Sequence, residues 1–296
     1  MPYVSTRRFL QAAGLLLAAT LLGACGKSES PPAATSVPAP APATSPAPAP
    51  APAPEPAPAR VYVVGTDAAY APFESQNERG EIVGFDIEVV NAIAKKAGIE
   101  VKFVNTPWEG IFNTLAQGDR DLLVSAITIT EERRQSMDFS NPYFDAAQLI
   151  AVKLDSKIAK FDDLKSRKVG VQTGTTGDEV VSKLLGKAST DIRRFESTPL
   201  ALKELEAGGV DAVVADNGVV VNYVANNSAG KFKTVSDKAF QPEQYGLAVK
   251  KGNVELLGKL NQGLAAIMAD GSYAQIYSKY FGTPVPAVAP AAPASR

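Results

Sequence analysis

From Arg60 onward the chain alternates short β-branched runs with stretches whose apolar positions repeat at helical spacing. That alternation predicts an α/β fold with mostly parallel strands. Val61 to Gly65 reads as a strand, and Val89, Val90, Ile93, Ala94 and Ala97 make one face of the helix that follows. Val101 to Val104 is the next strand, a helix is predicted from about Glu109 to Gln117, and Asp121 to Ala126 returns as a strand. Gln148 to Val152 and Lys168 to Val171 begin a second set. Near the C-terminus Leu256, Leu257, Leu260, Leu264, Ile267 and Met268 stand at helical spacing, an ordinary core face.

An internal echo points to two related halves. LAQGDRDLLV from Leu115 aligns with LEAGGVDAVV from Leu205, an offset of 90 residues, and each reads as helix end, glycine stop and buried strand. Ser125, Ala126, Ile127 and Thr128 follow the first strand; Ala215, Asp216 and Asn217 close the second. Open α/β sheets bind ligands beyond the carboxyl ends of their strands, so facing halves would aim both segments into one cleft.

Composition sets the limits of this globular part. Of 22 prolines, 12 fall between Pro31 and Pro58, 4 follow Gly282 and one is Pro2, which leaves 5 between Arg60 and Gly282. About 220 residues therefore fold, enough for two modest cores without staples. A net charge of −1 gives no broad basic field, so nucleic acid is not expected as a partner. With no histidine and a single cysteine, the chain lacks the side chains for Ser-His-Asp hydrolysis, Cys-His thiol catalysis and Cys/His zinc sites. Neither a metal nor a cofactor is expected.

The first residues read as an export signal. Arg7 and Arg8 precede a mostly apolar run from Leu10 to Leu22, and these 13 residues fall short of a membrane span, which needs about 20. The paired arginines hint at twin-arginine export, but Gln11 stands where that signal prefers an apolar residue, so general secretion is the default. Residues 1–24 are thus read as a signal peptide. Cys25 follows Leu22-Gly23-Ala24 in a pattern that resembles a bacterial lipobox, which implies a lipidated cysteine as the first mature residue; the other reading is a buried structural thiol. Residues 25–59, rich in Pro, Ala, Ser and Thr, have too little apolar surface to fold and read as a disordered, extended spacer. In polyproline II geometry it would reach about 100 Å. Residues 283–296 read as a similar tail.

Several segments carry candidate chemistry. GTDAAYAPFE places Asp67 and Tyr70 where the first strand ends, as ligand contacts or as a turn acid and a packed aromatic. In AITITEERR, Thr130 followed by two acids is a good helix N-cap, and Arg133 could turn back toward the strand end and bind a carboxylate through two parallel hydrogen bonds. VGVQTGTTGDEV, which includes Gln172 and Thr176, reads as strand, glycine-rich turn and helix start, and offers backbone amides to an anion. It lacks the Gly-Lys-Ser/Thr ending of a phosphate loop. Asp216 could oppose an ammonium group or simply cap the helix predicted from Gly218 to Ala225.

Taken in order, GTDAAYAPFE, GEIVGFDIEVVNAIAKKAG, AITITEERRQSMDFSNPYF, VGVQTGTTG, VDAVVADN, QYGLAVKKG and ADGSYAQIYSKYFG resemble the polar amino-acid-binding proteins of ABC importers, of the glutamine and lysine-arginine-histidine type, over roughly residues 60–282. The resemblance implies an α/β, two-lobe, flytrap-like type II periplasmic-binding-protein fold with two hinge crossovers, at residues 143–147 and 241–245. Lobe one would be residues 60–142 plus 246–282, and lobe two 148–240. It implies Arg133 as carboxylate clamp, helped by Thr128 and the Thr176 amide, and Asp216 as ammonium partner with the carbonyl of Ala126. The family usually has Gly or Ser at that last position, so only the backbone of Ala126 can serve. Tyr70 and Trp108 would wall the ligand side chain, Asp67 would sit at its far end, and Gln172 joins the ligand-binding set; Trp108 read alone is core.

These residues imply an exported, lipid-anchored, monomeric binding component of an amino-acid importer, not an enzyme, with a free amino acid and membrane permease subunits as partners. An acid beside two aromatics favours a basic ligand, arginine, lysine or histidine, with glutamine next. The alternative is an exported cyclohexadienyl dehydratase on the same fold, for which Glu109 is the candidate general acid. A module that passes its closed form to a receptor is the third reading.

Overall fold

The computed structural model describes residues 60–227 and 230–282. The expected signal peptide, Cys25, the spacer and the tail lie outside the described residues. In order the chain forms β1 (Val61–Thr66), β2 (Ala69–Tyr70), β3 (Glu74–Gln76), β4 (Ile82–Val83), α1 (Phe85–Ala97), β5 (Glu100–Asn105), α2 (Ile111–Gln117), β6 (Leu122–Leu123), α3 (Glu131–Ser136), β7 (Met137–Phe139) and β8 (Phe144–Ala146). Then come β9 (Gln148–Lys153), β10 (Val169–Gln172), α4 (Thr176–Leu185), β11 (Ile192–Phe195), α5 (Thr198–Ala207), β12 (Ala212–Asp216), α6 (Asn217–Asn227) and β13 (Phe232–Val235). The chain ends with β14 (Glu243–Tyr245), β15 (Ala248–Lys250), α7 (Val254–Ala269) and α8 (Ser272–Phe281).

Two five-stranded sheets organise two lobes, one ordered β5-β1-β6-β15-β7 and the other β11-β10-β12-β9-β13. In each, one strand runs against the other four: β15 in the first sheet and β9 in the second. Both of these strands directly follow a crossing segment. They enter their sheets from the end where the other strands finish, and so must run the opposite way. The crossings pair with each other as a ribbon of β8 and β14, in the register Phe144 with Tyr245.

The first lobe is held by a core in which Phe73 is surrounded by rings. Phe144 lies 5.0 Å away, Tyr245 5.3 Å, Phe281 5.6 Å and Phe85 6.0 Å, mostly edge to face. Each fully buried ring among them contributes about 1.5–3 kcal/mol by leaving water. Two of these rings, Phe144 and Tyr245, stand on the crossing strands, so the ribbon is anchored into that core. The second lobe packs Ile150, Val152, Val169, Val171, Val181 and Val214 on one face of its sheet, and Ala201, Leu202, Leu205 and Val213 on the other.

Two elements differ from the sequence expectation. The strand expected to run from Asp121 to Ala126 pairs only at Leu122 and Leu123. Beyond Val124 the backbone leaves the ladder, and Ala126 adopts a left-handed conformation at φ 45° with its amide turned to Asp86. Helix α2 starts at Ile111 instead of Glu109, because Gly110 precedes it at φ 90°, outside the helical region.

Candidate functional site

The ends of four parallel strands converge between the lobes. Asp67 follows β1; Ser125, Ala126 and Thr128 follow β6; Thr175 and Thr176 follow Gln172 at the end of β10; Asp216 ends β12. Together with Tyr70, Trp108 and Arg133 they line one cavity. All nine residues singled out from the sequence are among its walls. Ser125 and Thr175 line it too.

Arg133 arrives there by way of a capped turn. The Thr130 hydroxyl accepts the Arg133 amide at 3.1 Å, which starts α3 where the sequence expected a cap. The guanidinium is then buried, with Nη1 donating to the Thr128 carbonyl at 2.8 Å and Nη2 to the Gly174 carbonyl at 3.4 Å. Its carbon lies 5.4 Å from the Trp108 ring and 5.2 Å from Phe112. Trp108 itself packs edge-on against Phe112, so it is core on one side and cavity wall on the other. Burial lowers the pKa of Arg133, and the charge of Glu179 opposes that shift.

From the facing lobe, the Thr175 hydroxyl accepts the Asp178 amide at 3.2 Å and caps α4. The Thr176 and Gly177 amides stand in the first turn of that helix, where no intrahelical acceptor exists, at the positive end of its dipole. A Cβ at Gly177 would lie 2.9 Å from Gln148 Oε1 and 3.0 Å from the Val214 carbonyl, so glycine lets the helix start this close to the sheet.

Asp216 does not cap α6. Its Oδ1 accepts from Gln148 Nε2 at 2.5 Å and its Oδ2 from the Tyr245 hydroxyl, while the Gly218 amide is taken by Asn217's own side chain. Burial, then the nearby charge of Glu243, push its pKa up to about 6. Tyr70 is buried beside it, and burial and the Asp216 charge hold its hydroxyl well above the ordinary tyrosine range.

Asp67 in the cavity wall is half-buried, and its pKa is raised mainly by desolvation. Gln172 Nε2 reaches Asp67 Oδ2 at 3.4 Å and the Glu196 carbonyl at 3.1 Å, with its own Oε1 held by the Thr198 hydroxyl at 2.9 Å.

Sequence reasoning missed three residues behind these walls. Glu243, on crossing strand β14, accepts the Thr128 hydroxyl at 2.7 Å and the Thr176 hydroxyl at 2.9 Å, one from each lobe. Gln148, the first residue of β9, donates to both Asp216 and Glu243. Tyr245 completes the set through its hydroxyl. A buried polar residue at the start of an otherwise apolar strand, and an acid beside Pro242 in a crossing, were the available signals. Glu109, the acid considered for an enzyme, is exposed and is not among the cavity residues. Among the described residues no group of His, Cys, Asp and Glu could hold a metal, and no helix is long and apolar enough to cross a membrane.

A cation, an anion, two aromatic rings and a second acid thus meet in one cavity of a two-lobe fold, an arrangement that can hold a small zwitterion. The chain belongs to the bacterial extracellular solute-binding proteins, family 3, whose model matches residues 62–283. A "Probable histidine-binding protein" of Neisseria gonorrhoeae is 46% identical over 223 residues, 75% of this chain and 83% of that one. The L-arginine-binding protein of Pseudomonas aeruginosa is 34% identical over 224 residues, 74% and 86% of the two chains. Among solved structures, the arginine-, lysine-, histidine-binding protein of Geobacillus stearothermophilus matches with a TM-score of 0.74 and 44% identity, over 76% of this chain and 97% of that one. An ancestral amino-acid-binding protein, described as a precursor of cyclohexadienyl dehydratase, matches with a TM-score of 0.68 and 41% identity, over 75% and 95%.

Proposed function

We propose that this protein is the extracytoplasmic binding component of an amino-acid ABC importer, and that it captures a basic L-amino acid between its lobes for delivery to a membrane permease. One observation carries the reading: Arg133 and Asp216 come from opposite lobes to the same cavity. A zwitterion needs both charges, so only the closed arrangement satisfies both of its ends. That differential affinity moves the open-to-closed equilibrium. No bond is made or broken.

In this reading Arg133 clamps the ligand carboxylate, helped by Thr128 and the Thr176 amide. Asp216 and the Ala126 carbonyl take the ammonium, Tyr70 and Trp108 flank the side chain, and Asp67, steadied by Gln172, meets its far end. Residues 143–147 and 241–245 serve as the hinge between lobe one, 60–142 plus 246–282, and lobe two, 148–240; the β8–β14 ribbon supports this division. The binding names of the relatives support a basic ligand, and an acid beside a face of aromatic rings suits a guanidinium or an ammonium.

A thermal-shift screen tests the function. The purified protein is unfolded and refolded to strip carried ligand, then heated with each of the twenty amino acids; arginine, lysine or histidine is expected to raise its melting temperature most. A shift with glutamine alone would overturn the specificity, and no shift with any amino acid would overturn the function. Asp67→Asn is expected to weaken the basic ligands by about tenfold while changing glutamine affinity far less, since a neutral amide still hydrogen-bonds but no longer pairs with a cation. Equal affinities for all ligands before and after, measured by calorimetry, would remove Asp67 from the side-chain pocket.

Residues 1–24 as signal peptide and Cys25 as lipid attachment point complete the reading, with the Pro/Ala-rich spacer holding a monomeric domain off the membrane. Cys25→Ala is expected to move the protein from the detergent phase to the aqueous phase on phase partitioning; unchanged partitioning would exclude the anchor.

A further inference from the structure

Beneath the cavity floor lie two carboxyl groups that amino-acid capture leaves without a task. Glu74 on β3 and Asp86 in the first turn of α1 are both 0% exposed. Each gives one oxygen to the segment that lines the cavity. Glu74 Oε1 accepts the Ser125 hydroxyl at 2.8 Å, and Ser125 Oγ in turn accepts the Asp67 amide at 3.1 Å. Asp86 Oδ2 accepts the Ala126 amide at 2.8 Å and the Tyr143 hydroxyl at 2.8 Å.

The two remaining oxygens, Glu74 Oε2 and Asp86 Oδ1, are buried and receive no donor from any other group. The two side chains are within hydrogen-bonding reach of each other. Ionised carboxylates only accept, so two of them cannot bond; with one proton between them, one acid can donate to the other. The other titratable groups facing the pair are Asp67 after β1, Tyr70 on β2, Tyr143 ahead of β8 and Tyr273 on α8, and none of these is a cation. Two negative charges here would have no counter-ion.

We propose that Glu74 and Asp86 share one proton, carried by Glu74, and act as positioning residues that hold Ser125 and Ala126 in their places at the cavity floor. Ala126 needs such a hold. At φ 45° it sits in a region that costs a non-glycine residue strain, and the anionic Asp86 oxygen on its amide fixes the peptide there. The neutral Glu74 acid keeps the Ser125 hydroxyl pointed inward, which frees that oxygen for the Asp67 amide. Burial, then the Asp86 charge, raise the Glu74 pKa well above the carboxylate range, in keeping with a proton that stays. The link to ligand capture rests on the reading of Ala126 and Asp67 as ligand contacts.

Glu74→Gln tests this, because its amide keeps an acceptor for Ser125 and a permanent donor for Asp86. In the wild-type chain at about pH 8, infrared spectroscopy should find the carbonyl stretch of a protonated carboxyl, and Glu74→Gln should lose it. Because the folded pKa is raised, the proton's contribution to stability is lost as pH rises through it. The wild type should therefore fall in melting temperature on the alkaline side, and Glu74→Gln should fall less. Glu74→Gln should bind within about threefold of wild type at neutral pH, whereas Glu74→Leu, which keeps neither bond, should bind about tenfold more weakly. An absent band, a band that survives in Glu74→Gln, or identical alkaline profiles would overturn the proposal. The band and the profiles need no ligand, so a failed amino-acid screen would remove the importer reading and leave this one standing.

Discussion

Arg133→Ala is expected to weaken binding of every amino acid by about 3 kcal/mol or more, roughly a hundredfold in Kd. The size follows from burial. Removing one member of a buried, hydrogen-bonded charge pair leaves the ligand carboxylate desolvated with only Thr128 and a backbone amide beside it. The loss should be uniform across ligands, since the α-carboxylate is common to all of them, and it should come with a modest fall in melting temperature, because the Arg133 side chain also bonds the Thr128 and Gly174 carbonyls and packs on Trp108 and Phe112. Arg133→Lys should recover part of the loss and not all of it: an ammonium keeps the charge but not the two parallel bonds. Calorimetric titration of both variants with arginine and glutamine decides the matter. A ligand-selective loss would place Arg133 at the side-chain end.

Asp216→Asn is expected to cost a similar factor and also to change the pH dependence. In the wild type burial, then the Glu243 charge, push the Asp216 pKa up to about 6, and an ammonium is held by its ionised form. Affinity should therefore fall by about tenfold per pH unit below that point. Stability without ligand should respond in the opposite sense. The folded pKa is raised, so the folded state holds the proton more tightly than the unfolded chain, and this group's contribution is lost as pH rises through about 6. Opposite signs for affinity and stability separate titration of Asp216 from general acid unfolding. In Asp216→Asn the acid limb of the affinity curve should disappear. If it persists, another group carries the proton that opposes binding.

Much of this was legible before any coordinates because the informative signals are local. Thr130 and the acids after it announce a helix start that brings Arg133 around, and a strand followed by a glycine-rich turn and a helix announces the amides near Thr176. What stayed hidden depends on distance along the chain. Glu243 reaches Thr128 across 115 residues and Gln148 reaches Asp216 across 68, and no periodicity encodes such pairs. The short extent of β6 had the same cause. Asp121 to Ala126 is apolar enough for a longer strand, but the Asp86 carboxylate, 40 residues earlier, draws the Ala126 amide out of the ladder. The helix-cap reading of Asp216 was sound for a Val-Ala-Asp-Asn-Gly segment, and it gave way to Tyr245 on crossing strand β14 and Gln148 at the start of β9.

The strand order has a consequence for how the chain is made. All five strands of the second sheet lie between Gln148 and Val235, so that sheet can close as soon as its own residues are available. The first sheet cannot. Its β15 sits between β6 and β7 and arrives only with Ala248–Lys250, more than a hundred residues after β7. During synthesis or translocation, β6 and β7 present open hydrogen-bonding edges while the later half of the protein is still emerging. Open edges recruit other chains, and long-range closure is slow. Nascent chains stopped short of β15 should therefore be the species that aggregate, and those that reach it should be the ones that escape.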